Sequence, residues 1–105
     1  MHEGMMRLLD ALPAASRGRM VAIYRQSLGD QAARLRDAFF GGRLDEATSI
    51  AHKIAGSAAM MQDAGLAVST RSLEQCLRGG RWDEAMEHWP EVEARTASTL
   101  AALAG

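Results

Sequence analysis

The feature that most constrains this chain is an unbroken alternation of apolar residues, at intervals of three and four, between positions 44 and 61. The residues on it are Leu44, Ala47, Ala51, Ile54, Ala58 and Met61. That spacing puts them on one face of an α-helix, because one helical turn takes between three and four residues. The segment Leu44–Met61 is therefore predicted to be a helix with one buried face.

Three further segments have similar periodicity. They are predicted as helices over about Arg19–Phe39, Gly65–Arg78 and Trp82–Leu103, after a short helix over Glu3–Leu12 that ends near Pro13. Glycine pairs at positions 41–42 and 79–80 end two of the helices. Pro90 lies inside the last helix and is expected to kink or split it.

The faces predicted to point inward are mostly apolar. They are Met20, Tyr24, Leu28, Gln31, Leu35 and Phe39; Leu66, Leu73, Cys76 and Leu77; and Trp82, Ala85, Trp89, Val92, Thr96, Leu100 and Leu103. Short connections make sequential helices antiparallel neighbours. The predicted fold class is all-α, an antiparallel four-helix bundle with an additional short N-terminal helix, forming one domain over residues 1–105.

Composition excludes several classes of function. Twelve basic residues nearly balance thirteen acidic ones, so a nucleic-acid partner is not expected. The single cysteine, Cys76, allows neither an internal disulfide nor a cysteine zinc site. No run reaches the roughly 20 apolar residues of a membrane helix, and the first residues lack a secretory pattern. The chain is therefore expected to be cytoplasmic, without a cofactor or membrane contact. It is also expected to be a monomer, because one bundle uses all the apolar faces.

A short repeat occurs at both glycine pairs. Gly41-Gly42-Arg43-Leu44-Asp45-Glu46-Ala47 matches Gly79-Gly80-Arg81-Trp82-Asp83-Glu84-Ala85. Acidic residues in a first helical turn suit the positive end of the helix dipole, so capping explains both copies. A helical-repeat protein would also contain such copies.

His52 is the candidate functional residue. It follows the inward Ala51, and a rotation of about 100° puts it beside the buried face, at the surface. Its neighbours one turn away are all small: Thr48, Ser49, Ala55 and Gly56, with Ala59 one turn further. A glycine inside a helix costs about 1 kcal/mol relative to alanine. Gly56 therefore serves either the close approach of another protein to His52 or tight packing inside this domain.

The residue facing His52 follows from the geometry of a helical hairpin. With the turn near Gln62 and Asp63, His52 should lie level with Glu74, near Arg71, Gln75 and Arg78. A side chain there could hydrogen-bond one ring nitrogen and leave the other as a nucleophile. The alternative for Glu74 is a solvated charge.

The stretch from Ala51 to Met61, AHKIAGSAAMM, together with Leu66 and the Leu73-Glu74 pair, resembles the signature of histidine-containing phosphotransfer (HPt) domains. The resemblance implies a four-helix bundle that carries a phosphoryl group on an exposed His52, with Nε2 as the attacking nitrogen. It implies, as partner, the receiver domain of a response regulator or hybrid sensor histidine kinase, which supplies an aspartyl phosphate and magnesium. The candidate supporting or docking residues are Lys53, Gly56, Ser57, Ala59, Glu74, Arg71 and Gln75.

The chain departs from the family pattern at two places. Ala55 occupies the position of the family's lysine, whose charge could instead come from Lys53, Arg71 or Arg78. Gln62-Asp63 occupies the place of a Gly-Ala turn. Because no glycine-rich nucleotide loop is present, the expected function is a carrier without kinase activity. The alternatives are a degenerate regulator that docks a receiver without being phosphorylated, and an unrelated helical adaptor.

Overall fold

The computed structural model describes residues 2–104, and this part of the chain contains helices and no strand. The helices are α1 (Glu3–Asp10), α2 (Ala14–Phe40), α3 (Leu44–Met60), α4 (Ala64–Arg78) and α5 (Trp82–Ala104). Helix α2 packs on α3, α3 on α4, α4 on α5, and α5 back on α2, closing a bundle of 43 × 21 × 18 Å. The predicted all-α class, a four-helix bundle preceded by a short helix, is confirmed. None of these helices combines the length and apolarity needed to cross a membrane.

Helix α2 begins five residues earlier than predicted. Pro13 precedes its first residue with a φ of −55°, and the helix starts at Ala14. Proline favours such a position because it lacks the N–H that a helix start leaves unpaired. The prediction placed the start at Arg19, where the apolar face begins. Ala14 and Ala15 are exposed, so their sequence carries no apolar periodicity.

Of the two effects expected of Pro90, a kink or a split of the last helix, the split does not occur. Helix α5 runs without interruption through Pro90. Proline removes one backbone N–H and crowds the carbonyl four residues earlier, on Met86. Both Met86 and Pro90 lie on the exposed face of α5, where water can hydrate that carbonyl.

The core follows the predicted inward faces with two exceptions. Phe39 stacks between Trp82 and Trp89, at centroid distances of 4.8 and 4.5 Å. Met20 and Leu44, both predicted to point inward, are exposed. Each is the first residue of its predicted apolar face.

The three interhelical turns of the bundle share one backbone design. In the α2–α3 turn, Gly42 N–H donates to the Phe39 carbonyl and Arg43 N–H to the Ala38 carbonyl. The α4–α5 turn repeats the pattern with Gly80, which like Gly42 has a positive φ. This is the Schellman motif, in which a left-handed residue ends a helix. The sequence repeat is therefore a capping device.

A buried polar cluster joins α2 and α5 to the turn between α3 and α4, with His2 of the segment before α1 beside it. The carboxylate of Asp63 accepts hydrogen bonds from the Tyr24 hydroxyl at 3.0 Å and the Thr99 hydroxyl at 2.7 Å. His2 Nδ1 lies 3.7 Å from the same carboxylate, and His2 Nε2 lies 2.9 Å from Ser98 Oγ. Burial, reinforced by the charge and hydrogen bond of Asp63, raises the pKa of Tyr24, so its hydroxyl stays a donor.

Candidate functional site

His52 lies midway along α3 with its side chain 68% exposed. The outward face of α3 around it is formed by Ser49, Lys53, Gly56, Ala59 and Met60, all exposed. Thr48 and Ala55, predicted to share this surface, are buried instead. Small side chains on α3 allow α4 to approach closely and cover these two positions.

Glu74 is the side chain that holds the imidazole. His52 Nδ1 lies 2.9 Å from Glu74 Oε2, at the register predicted from the hairpin. An ionised carboxylate only accepts hydrogen bonds, so Nδ1 carries the proton and donates it. In the neutral ring, Nε2 then holds the free lone pair. Among residues 2–104, Glu74 is the hydrogen-bond partner of this ring, and no side chain bonds Nε2.

Arg78 keeps Glu74 ionised. Its Nε and Nη2 lie 2.8 and 2.7 Å from Glu74 Oε2, the oxygen that also accepts from His52. Burial alone would raise the pKa of Glu74, since its side chain is only 10% exposed. The hydrogen bonds from Arg78 and His52 outweigh burial and hold that pKa below its ordinary value. Glu74 is thus a fixed anion behind the imidazole.

A cleft opens beside the exposed edge of His52. It has a volume of about 280 Å³ and is lined by Asp45, Thr48, Ser49, His52 and Arg78. Residues of the α3 N-terminal half form one wall, and the last residue of α4 forms the other. The cleft is large enough for a phosphoryl group and contains one guanidinium and one carboxylate.

Gly56 is not needed for packing inside the bundle. A Cβ placed on Gly56 would have no atom of the described residues within 4 Å apart from its own helix and neighbours. Of the two explanations open at the sequence level, tight intradomain packing is therefore excluded. The space beside Gly56, one turn from His52, is open.

An apolar groove lies between α2 and α3, next to the outward face of α3. It has a volume of about 400 Å³, and its lining residues are Ser16, Arg19, Met20, Ile23, Tyr24, Ser27, Ser57, Met60 and Met61. Ile23 and Met60 are 69% and 81% exposed. Sequence reasoning missed this groove, although Met20 and Ile23 lie three residues apart on one helix.

The remaining predicted residues are placed near this surface but are not joined to His52. Lys53, Arg71 and Gln75 are exposed, and their own side chains make no hydrogen bond or ion pair with other described residues; the Gln75 carbonyl accepts a hydrogen bond from Arg81 Nη2. Ser57 is half-buried and lines the groove, and Ala59 is exposed. Sequence reasoning did not single out Asp45 in the cleft. The sequence feature that could have identified Asp45 is its spacing of seven residues from His52, which puts both on the same face of the helix, two turns apart.

Comparison with protein families supports the resemblance. The family model described as Hpt domain matches residues 19–104, which include α3, α4, α5 and most of α2. No curated protein and no solved structure gives a significant match. The family consists of phosphocarriers that take part in histidine phosphotransfer in two-component signalling, together with receiver domains and histidine kinases. This match covers well over half of the chain, which therefore belongs to the Hpt domain family.

Proposed function

We propose that this chain is a phosphorelay carrier. His52 accepts a phosphoryl group from the aspartyl phosphate of a receiver domain and passes it to the aspartate of another receiver. The observation that supports this most directly is the imidazole itself, with Nδ1 bonded to Glu74 and Nε2 facing solvent. A nucleophile with one nitrogen anchored and the other free is what transfer between two proteins requires.

The chemistry needs few groups from this chain. The Nε2 lone pair forms the P–N bond while the P–O bond to the donor aspartate breaks, and that electron pair stays on the departing carboxylate. The imidazole gains positive charge because Nδ1 keeps its proton. Glu74, already an anion at 2.9 Å, stabilises that charge. Positioning and charge stabilisation supply most of the catalysis in such transfers.

Docking of the receiver is assigned to the outward face of α3 and the groove beside it. Because Gly56 has no side chain and Ala59 only a methyl group, little projects from this face, and a partner can bring its aspartyl phosphate to His52. The exposed Ile23 and Met60 offer apolar area for the partner to bury. The partner is expected to be a receiver domain of a response regulator or of a hybrid sensor histidine kinase.

The second candidate function is receiver docking without phosphorylation. Ala55 occupies the position of the family's lysine, and its methyl side chain, which is 2% exposed, brings no charge near His52. A chain that had lost its phosphate site would retain the docking face and the groove. Phosphate on His52 decides between the two functions.

The experiment is incubation of the purified chain with a receiver domain loaded with ³²P. We expect acid-labile, base-stable phosphate on the chain and none on His52→Gln. His88→Gln is the matched control, because His88 is an exposed histidine of α5 outside the cleft. Label that survives His52→Gln would overturn the assignment. Receiver binding without label on the wild-type chain, with a known carrier labelled in parallel, would favour the docking function.

A further inference from the structure

The cleft beside His52 contains the guanidinium of Arg78, a cation that could neutralise the negative charge of a phosphohistidine. We propose that Arg78 binds the phosphoryl group once it is on Nε2, and so sets the lifetime of the phosphorylated form. This inference rests on the proposed function. A phosphoryl group at neutral pH carries close to two negative charges and several strong acceptor oxygens. An exposed group of that charge needs a nearby donor if it is to be held in one orientation.

Arg78 is placed for this role by the cleft. Apart from His52, it is the one basic residue among those that line it. Lys53 is adjacent in sequence, but one residue along a helix turns it by about 100° away from His52. Arg71 lies two turns earlier than Arg78 on α4 and is not among the lining residues. The position of Arg78 is fixed by two bonds to Glu74, which also anchors the imidazole.

The guanidinium can bridge Glu74 and the phosphoryl group at once. A guanidinium has five N–H donors on two usable edges. Nε and Nη2 face Glu74, whereas Nη1 has no hydrogen-bond partner among the described residues. Because the side chain is 58% exposed, its outer edge is open to the cleft. Arg78 therefore need not release Glu74 in order to bind a phosphoryl oxygen, and the imidazole keeps its orientation in both states.

Asp45 acts in the opposite direction. It lines the same cleft, and its carboxylate repels a dianionic phosphoryl group. The lifetime of phosphohistidine is then set by the balance between Arg78 and Asp45. A carrier benefits from a group that is stable enough to travel and still easily given up.

The test uses the whole chain and phosphoramidate, a small donor that loads histidine without a receiver. The loss of acid-labile phosphate is followed for the wild type, Arg78→Gln and Arg34→Gln, since Arg34 is an exposed arginine of α2 outside the cleft. We expect Arg78→Gln to shorten the lifetime by about three- to tenfold, in line with the loss of one charge-assisted hydrogen bond at a solvated site. Arg34→Gln should match the wild type, and Asp45→Asn should lengthen the lifetime.

A second readout separates binding of phosphate from simple support of Glu74. The tautomer of unphosphorylated His52, read from its ¹⁵N shifts, should remain Nδ1–H in Arg78→Gln because Glu74 still accepts that proton. A wild-type lifetime in Arg78→Gln would overturn the inference, as would a shortened lifetime accompanied by loss of the tautomer. Failure of the wild type itself to load at His52 would instead refute the proposed function.

Discussion

At the scale of single residues, the site depends on one shared oxygen. Oε2 of Glu74 accepts from the imidazole of His52 and from the guanidinium of Arg78. The sequence predicted that Glu74 lies level with His52, because a hairpin pairs residues equally distant from its turn. It left open whether Glu74 was solvated or bonded, since that depends on how closely α3 and α4 approach.

The ionised state of Glu74 makes stability depend on pH. Its pKa is lower in the folded chain than its ordinary value. Its contribution to the free energy of unfolding is therefore fully present above the unfolded pKa, about 4.3, and is lost as the pH falls through the lower folded value. Urea unfolding of wild type and Glu74→Gln should differ most at pH 6–7 and converge toward pH 3.

Glu87→Gln is the control for this titration, because Glu87 is an exposed glutamate of α5 outside the site. Its difference from the wild type should change much less over the same range. A wild-type advantage over Glu74→Gln that grows as the pH falls would contradict the assignment of Glu74 as a stabilised anion.

Gly56 tests the close approach of a partner. In Gly56→Leu the branched side chain would stand one turn from His52, where nothing in the bundle opposes it. We expect transfer from a phosphorylated receiver to fall more than tenfold, while loading by phosphoramidate is unchanged. The free energy of unfolding should rise by about 0.5–1 kcal/mol, because leucine is the better helix former.

Gly18→Leu is the matched control, since Gly18 is also an exposed helical glycine with no atom near an added Cβ. It should gain similar stability and keep full transfer. Normal transfer by Gly56→Leu, with helicity intact, would show that a partner does not pass close to this position.

At the scale of helices and turns, most boundaries follow from local chemistry. The glycine pairs end α2 and α4 as predicted, because Gly42 and Gly80 adopt the left-handed conformation that ends a Schellman turn. The α3–α4 turn uses the same backbone with Gln62 at the left-handed position, where φ is +59°. A side chain at such a φ is strained.

Gln62→Gly should relieve that strain. We expect the free energy of unfolding to rise by about 1 kcal/mol, the smaller end of the cost of a left-handed non-glycine residue. Thermal unfolding of the variant should shift upward by several degrees for a chain of this length. Gln75→Gly, within α4, is the contrasting control and should be destabilising; a lowered stability in Gln62→Gly would contradict the argument.

At the scale of the whole molecule, the end of the bundle is held by a polar centre. Asp63 accepts from Tyr24 on α2 and Thr99 on α5, and His2 lies beside it just before α1. The side chain of His2 is only 15% exposed. Nothing in the local sequence marks Thr99 and Tyr24 as partners of Asp63, because they lie 36 and 39 positions away from it in the chain.

Removal of the shared acceptor tests this centre. Asp63→Ala should lower the free energy of unfolding by about 2–4 kcal/mol, because two buried hydroxyl groups lose their partner. Asp10→Ala, an exposed position at the end of α1, should change it by less than about 0.5 kcal/mol. Urea unfolding at pH 7 measures both, and a loss below about 1 kcal/mol in Asp63→Ala would show that the cluster stabilises little.

The sequence by itself determined the helices, their antiparallel order, the exposed His52 and the register that brings Glu74 level with it. These follow from residue spacing and turn chemistry, which act over a few residues. Only the tertiary structure decided that Ala55 is buried, that Arg78 enters the cleft, that Gly56 faces open space and that Asp63 joins α2 to α5. Those features depend on how far the helix axes are apart and how each helix is rotated, and both are set by the summed packing of side chains distant in sequence.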